Sequence, residues 1–197
     1  MESNNKEESD SLEDEYLDLN LSGENITKLN QNNFAPDTVN VTHLYLSNNR
    51  IDQFPTFLSD TFPKLSHLDL SKNRISSFDS NNINQLKKLK YLFLSENKII
   101  EFPLILTEKC PKLVSLDISD NKIIEIDSHK FAKIRNLTYL NIGKNNLNKF
   151  PYFLGDKCKI LSSLDLSNNS ILTIDSDSMI QFNCLNVLSI RNNKIEE

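Results

Sequence analysis

Apolar residues recur along this chain at a fixed step of 24 positions. The stretch from Leu113 to Ile123 has the pattern L-x-x-L-x-I-x-x-N-x-I, and Leu116 holds its second apolar position. Equal steps from Leu116 in both directions reach a leucine every time. These leucines are Leu44, Leu68, Leu92, Leu116, Leu140, Leu164 and Leu188. A period this strict predicts a solenoid, in which each repeat is one coil that packs against its neighbours.

An asparagine recurs with the same period at the end of each apolar stretch. These asparagines, the predicted structural ladder, are Asn49, Asn73, Asn97, Asn121, Asn145, Asn169 and Asn193. Residues such as Leu68-Asp69-Leu70 alternate apolar and polar, which predicts a short strand with one buried face. Parallel stacking of the coils would place neighbouring strands about 4.8 Å apart. Each ladder asparagine would then bind backbone groups of its own and the adjacent loop.

This pattern resembles the leucine-rich repeat family, with typical 24-residue repeats over roughly residues 16–197. The resemblance implies an α/β fold: a right-handed solenoid with a parallel β-sheet on the concave face. Its convex segments are expected to be irregular or short and helical. The resemblance says less about function, because the family serves mainly as a binding scaffold for many unrelated partners.

The chain is expected to divide into a tail and one repeat domain. Residues 1–15 are polar and acidic, which predicts a disordered acidic N-terminal tail. Residues 16–40 are interpreted as an entry repeat, in which Glu24 stands where the ladder asparagine is expected. Residues 41–197 hold the regular repeats, and the last one is incomplete, with no return segment after its asparagine.

The repeats alternate between two kinds of return segment. Three of them contain Phe54-Pro55, Phe102-Pro103 or Phe150-Pro151, and we expect the chain after these prolines to be the more extended kind. The others contain Phe78-Asp79, Ile126-Asp127 or Ile174-Asp175, and here a short helical turn opened by Asp or Ser is expected. Packing between two matching convex geometries explains the alternation; a convex partner site is the alternative.

Charge and cysteine use narrow the function classes. The formal net charge is −5, and residues 1–15 hold seven acids and one base, so the repeats carry −5 − (−6) = +1. This balance argues against nucleic-acid binding, and no apolar run is long enough for a membrane span. No signal peptide is recognised, and three cysteines without disulfide caps indicate a reducing compartment. We expect a cytoplasmic protein; an extracellular or membrane-attached location is the alternative if the chain is a fragment.

The candidate partner site lies between the buried leucines, on the solvent side of the predicted sheet. Aromatic side chains there are of the types enriched at interface hot spots, and an acidic stripe runs along alternate strands. The predicted partner-binding residues are Tyr45, Tyr91, Phe93, Tyr139, Asp69, Asp117, Asp165, His43 and His67. An ordinary solvated sheet face is the alternative. A basic row, Arg50, Arg74, Lys98, Lys122 and Lys194, follows the strands. We interpret it as a solvated edge, with an acidic partner or the chain's own tail as alternatives.

No catalytic constellation is recognised, and no cofactor is expected. The acidic stripe would place its carboxylates about 10 Å apart, too far for a retaining glycosidase pair. His43, His67 and Asp69 resemble a two-histidine, one-carboxylate metal site in ligand type, but two adjacent exposed histidines are the simpler interpretation. The sequence therefore predicts a non-enzymatic scaffold or adaptor that binds a protein partner. The alternative is a ligand-sensing region of a larger receptor or regulator. Self-association through an open C-terminal edge is a further expectation.

Overall fold

Eight short parallel strands form one sheet in the computed structural model, which describes residues 17–79, 81–132 and 134–196. The predicted acidic tail, residues 1–15, lies outside the described residues. The strands are β1 (Asp18–Asn20), β2 (His43–Tyr45), β3 (His67–Asp69), β4 (Tyr91–Phe93), β5 (Ser115–Asp117), β6 (Tyr139–Asn141), β7 (Ser163–Asp165) and β8 (Val187–Ser189).

Strand order in the sheet follows chain order, from β1 to β8. The periodic leucines pair across it without a slip, so that Leu68 stands between Leu44 and Leu92. From Leu44 to Leu164 these side chains are at most 1% exposed, whereas Leu188 in the last strand is only partly buried. The predicted repeat solenoid with its parallel sheet is therefore confirmed, and the buried core is one continuous spine of apolar columns.

The ladder asparagines close each coil where the chain leaves the sheet. The Nδ2 group of Asn121 donates to the Ile118 carbonyl oxygen of its own coil at 3.1 Å and to that of Leu94, one coil earlier, at 2.9 Å. Its Oδ1 accepts from the Ile99 N–H at 3.0 Å. The same three bonds recur at Asn73, with the partners shifted by two coils. One side chain thus satisfies backbone groups of two coils that no strand or helix reaches.

The residue before each ladder asparagine adopts a left-handed backbone conformation. Its φ angle lies between 52° and 56° in all seven coils. These residues are Asn48, Lys72, Glu96, Asp120, Lys144, Asn168 and Asn192. Asn and Asp tolerate this region, but Lys and Glu adopt it only where the surrounding structure imposes it. The tight turn is therefore a property of the coil, not of the local residue type.

The predicted assignment of the two convex geometries is wrong. The helices α1 (Leu58–Thr61), α2 (Ile105–Lys109) and α3 (Leu154–Lys157) follow the prolines, in the segments expected to be extended. Proline has a φ suited to the first turn of a helix, and the Leu106 N–H donates to the Pro103 carbonyl oxygen at 2.9 Å. Each helix buries one leucine, such as Leu106 in α2.

The segments that contain aspartate, expected to be helical, are mostly turns. In the segment after Ile126, the Asp127 Oδ1 atom accepts from the His129 N–H at 3.0 Å and closes a turn without continuing into a helix. The last such segment does form a 3₁₀ helix, Asp177–Gln181. Two further 3₁₀ helices, Gln31–Asn33 and Pro36–Asn40, lie in the entry repeat.

Two of the three cysteines, which stand at the same repeat position two coils apart, are buried free thiols. Cys110 and Cys158 are 0% and 2% exposed, and burial raises the pKa of each thiol to about 12. Cys184 is also free, but it is exposed. In the described part of the chain, no helix has the length and apolar character needed to cross a membrane.

Replacing Asn121 by alanine tests the ladder. The change leaves the Ile99 N–H without its acceptor, in a site where Asn121 is 9% exposed. It also removes one of the two ladder donors from the carbonyl oxygens of Leu94 and Ile118. We expect a loss of about 1–3 kcal/mol in the free energy of unfolding, measured by urea denaturation. The matched control is Asn146→Ala at an exposed position of the next coil, where a change within about 0.5 kcal/mol is expected. Equal losses in both variants would contradict the ladder.

Candidate functional site

The concave surface of the sheet consists of two columns of side chains that stand between the buried leucines. Cross-strand pairing aligns both columns from β2 to β8. The first column holds His43, His67, Tyr91, Ser115, Tyr139, Ser163 and Val187. The second holds Tyr45, Asp69, Phe93, Asp117, Asn141, Asp165 and Ser189. The structure therefore places every predicted partner-binding residue on this one surface.

Three rings of the first column form a continuous stack across β2, β3 and β4. The imidazoles of His43 and His67 lie 3.9 Å apart at an interplanar angle of 18°. The ring of Tyr91 follows at 4.1 Å from His67 and 15°. The Nδ1 atoms of His43 and His67 lie 3.0 Å and 2.9 Å from the hydroxyls of Thr42 and Ser66. The rings are thus ordered before any partner binds.

This stacking does not suit the metal site considered from the sequence. Ring nitrogens of two ligands must converge on one ion, whereas face-to-face imidazoles direct their nitrogens outward in parallel. The Nδ1 atoms of His43 and His67 already face neighbouring hydroxyls. The described residues contain no group of three or more His, Cys, Asp or Glu arranged to hold a metal ion.

The middle ring of the stack is held in its neutral form. Burial, followed by the nearby charges of His43 and Lys90, lowers the pKa of His67 to about 4 from a usual 6.5. Asp18 acts in the opposite direction and raises it. At neutral pH the stack therefore presents the uncharged His67 ring to a partner.

The carboxylates of the acidic stripe also have a structural role. The Oδ1 atoms of Asp69, Asp117 and Asp165 each accept from the backbone N–H two residues later, at 2.8–2.9 Å. Asn141 makes the same bond to the Gly143 N–H. These bonds close the turn at the end of each strand. This role was not predicted from the sequence, although an aspartate two residues before a serine, repeated with the period of the coils, is a typical turn signal.

Tyr139 lies between two of these carboxylates. It is 36% exposed, and its pKa is raised by burial first and then by the negative charges of Asp117 and Asp165. Ser115 separates Tyr139 from the ring stack by one strand. The concave surface therefore has two aromatic parts, a stack over β2–β4 and a tyrosine among acids over β5–β7.

A polar depression of about 320 Å³ borders the concave surface where the strands end. Its lining includes Glu96, Asp120, Lys144, Asp165 and Arg191. Lys144 pairs with Asp120 at 3.2 Å, so that these two charges within the depression partly neutralise each other. These positions were not selected from the sequence, because Glu96, Asp120 and Lys144, which share one repeat phase, include both signs of charge and form no stripe.

Sequence models of repeat families match most of the chain. The model described as "Leucine rich repeat" matches residues 39–99 and 111–155. One described as "Leucine Rich repeats (2 copies)" matches residues 87–130, and one described as "Leucine Rich Repeat" matches residues 161–182. No curated protein gives a significant match.

Solved structures of longer solenoids superpose on this one. A leucine-rich repeat protein of Leptospira interrogans is 27% identical, with a TM-score of 0.71 over 80% of this chain and 38% of that chain. TLR13, in its complex with ssRNA13, is 27% identical, with a TM-score of 0.74 over 88% of this chain and 24% of TLR13. Drosophila Toll, in its complex with Spatzle, is 24% identical, with a TM-score of 0.72 over 91% of this chain and 27% of Toll. The chain spans less than half the length of each of them.

The depressed pKa of His67 predicts an acid-sensitive stack. An imidazole in the unfolded chain titrates near pH 6.5, whereas that of folded His67 titrates near 4. Between these values the unfolded chain binds a proton that the folded chain does not, so stability falls as the pH falls through this window. His67→Phe keeps a ring in the stack and removes the titration. Its loss of unfolding free energy between about pH 7 and pH 4.5 should be smaller than that of the unmodified chain.

Urea denaturation at the two pH values measures this difference. The matched control is His129→Phe, which changes an exposed imidazole on the convex side. This control should lose as much stability on acidification as the unmodified chain does. An equal acid response in the unmodified chain and in His67→Phe would contradict the assignment.

Proposed function

This chain belongs to the leucine-rich repeat family, and we propose that it is a non-enzymatic scaffold that binds a protein partner on its concave surface. The repeat fold and its similarity to other solenoids make it an interaction or ligand-binding domain. The choice of a protein partner and of the concave surface is our proposal, and the side chains of that surface support it.

The observation that carries the proposal is the ring stack of His43, His67 and Tyr91. Aromatic side chains are enriched among the residues that dominate binding energy at interfaces. Ordering a side chain on binding costs about 0.5–1.5 kcal/mol, and rings that are already stacked avoid most of that cost. The rings stand on paired strands of a sheet, so the backbone beneath them is also fixed before binding.

Charge on the same surface indicates the chemistry of the partner. Tyr139 lies near Asp117 and Asp165, and a cationic side chain over a tyrosine between carboxylates gains both ion-pair and cation–π attraction. The ring stack two strands away offers apolar contact area. We therefore propose a partner segment with a Lys or Arg close to an apolar or aromatic residue.

The spacing of the carboxylates supports the non-enzymatic role. Asp69 and Asp117 stand two strands apart, hence about 10 Å, which exceeds the separation of a retaining carboxylate pair. Each also uses one oxygen to close its own strand turn. Leucine-rich repeat domains are generally interaction modules without catalytic activity.

The second candidate function is the ligand-sensing region of a larger receptor or regulator. Its support is the 27% identity to TLR13 over 88% of this chain, together with the small share of TLR13 that is matched. A full-length transcript with an effector domain beyond Glu197 would favour this function over the scaffold.

We also propose that the chain works in a reducing compartment such as the cytoplasm. The support is that Cys110, Cys158 and Cys184 are all free thiols, one of them exposed. The alternative, an extracellular or membrane-attached location as part of a longer protein, predicts that Cys184 is oxidised or paired in material isolated from its source. Mass spectrometry with thiol-blocking reagents distinguishes the two.

The double variant Tyr91→Ala, Phe93→Ala tests the concave surface. Both side chains are half-buried on β4, and their loss removes one end of the ring stack and its neighbour. We expect partners captured from a native lysate by the immobilised chain to be lost. The melting temperature should change little, because neither residue belongs to the buried core.

A matched control removes two apolar side chains from another surface. Ile100 and Ile124 are 52% and 51% exposed, on adjacent coils outside the sheet. The double variant Ile100→Ala, Ile124→Ala should capture the same partners as the unmodified chain. Undiminished capture by the concave variant, or equal loss in both variants, would exclude the concave surface as the binding site.

A further inference from the structure

Positive charge is concentrated along one edge of the solenoid, where each coil enters the sheet. The entry edge, as we define it, consists of the five segments that directly precede β3 to β7. These segments are residues 63–66, 87–90, 111–114, 135–138 and 159–162. These segments contain seven bases and no Asp or Glu. The bases are Lys64, Lys87, Lys88, Lys90, Lys112, Arg135 and Lys159, and all are exposed.

Most of this charge is not neutralised by the described residues. Lys159 pairs with Asp156 at 2.9 Å, and Lys64 donates to the neutral Oδ1 atom of Asn40 at 2.8 Å. None of the other five bases forms an ion pair within residues 17–79, 81–132 and 134–196. Lys64, Lys88 and Lys112 share one phase of the repeat, so they follow one another at about 4.8 Å per coil. An edge of this kind attracts an extended anionic chain.

The opposite edge, where the chain leaves the sheet, is different. Its basic row has four charges on four consecutive coils: Arg50, Arg74, Lys98 and Lys122. Acids are interspersed with it on the same coils: Asp52, Glu96, Glu101, Asp120 and Glu125. The mixture weakens the field of this exit edge, which makes it a matched control for the entry edge.

The described chain begins on the same side of the sheet as the entry edge. Residues 1–15 carry seven acids and one base, 1 − 7 = −6. The described chain begins at Leu17, whose N–H donates to the Thr42 Oγ1 atom at 3.0 Å and whose carbonyl oxygen accepts from the Thr42 N–H at 2.9 Å. Thr42 has the same phase as Ser66 and Lys90, which stand at the start of the next two strands. Leu17 therefore lies on the side of the sheet that carries the opposite charge.

We propose that residues 1–15 dock along the entry edge of their own chain, with their carboxylates against Lys64, Lys87, Lys88 and Lys112. Fifteen extended residues reach about 50 Å, whereas six strand spacings from β1 to β7 cover about 29 Å. A short tether also raises the effective concentration of the segment to the millimolar range. An anionic partner of this edge would have to displace the segment. The inference is independent of the concave site.

Paramagnetic relaxation measured by NMR on the full chain tests the docking. A spin label is attached to Ser11→Cys in a Cys184→Ser background. Cys110 and Cys158 are buried, and their raised pKa keeps both thiols protonated at neutral pH, which disfavours their labelling. At about 0.01 M salt, where the Debye length is about 30 Å, amide signals of residues 63–66, 87–90 and 111–114 should lose intensity. At about 1 M salt, where it is about 3 Å, the intensity should return.

Two variants with equal charge changes show whether the position of the charge matters. The entry-edge variant replaces Lys64, Lys87, Lys88 and Lys112 by Gln, and broadening near this edge should disappear. The exit-edge variant replaces Arg50, Arg74, Lys98 and Lys122 by Gln, and broadening at the entry edge should remain. Circular dichroism checks that both variants keep the fold. Equal loss of broadening in both variants, or none at low salt in the unmodified chain, would overturn the proposal.

Two other occupants of the entry edge give different results. In a mixture of spin-labelled ¹⁴N chain and unlabelled ¹⁵N chain, broadening of the ¹⁵N signals would show docking onto a second copy and would overturn the intramolecular contact. If the edge is a free nucleic-acid site, a labelled single-stranded RNA should bind equally well to the unmodified chain and to a variant whose seven N-terminal acids are replaced by amides. Tighter binding to that variant supports docking, because the segment then no longer competes for the edge.

Discussion

The structure depends on one side-chain amide per coil. A chain that turns sharply after three residues of strand leaves carbonyl and N–H groups that neither sheet nor helix can satisfy. Burying such a group without a partner costs about 1–3 kcal/mol. The ladder asparagines meet this requirement with one acceptor and two donor contacts that join consecutive coils. The left-handed residue before each of them, even where it is Lys or Glu, follows from the same turn.

Because every coil repeats this turn, residues of equal phase lie in columns. The surfaces of the solenoid therefore differ in the chemistry of their side chains. The buried leucines form the spine. The concave columns hold stacked rings and carboxylates, the entry edge is basic without acids, and the exit edge mixes both signs. A surface column can change chemically without affecting the core, which explains how one scaffold supports unrelated interactions.

The strict period allowed the fold to be predicted from the sequence, since the equivalents of Leu116 and Asn121 recur at the same position of every coil. The convex geometry was not predicted, because Pro103 was taken to favour extended chain, whereas its position opened a helical turn. The ring stack was missed, since spacing alone places His43 and His67 side by side but does not orient their planes. The basic entry edge was also not predicted, because the net charge of the repeats adds the charges of both edges together. The recurrence of Lys64, Lys88 and Lys112 at one repeat phase could have indicated it.

Hydrogen exchange of the asparagine side-chain amides, measured by NMR, tests the central role of the ladder most directly. The chain supplies its own controls, because exposed asparagines such as Asn146 and Asn148 lie on the same coils as buried Asn145. The Nδ2 protons of Asn97, Asn121 and Asn145 should exchange far more slowly than those of the exposed asparagines, and they should show contacts to residues of the preceding coil. Exchange at the same rate in both groups would contradict the account.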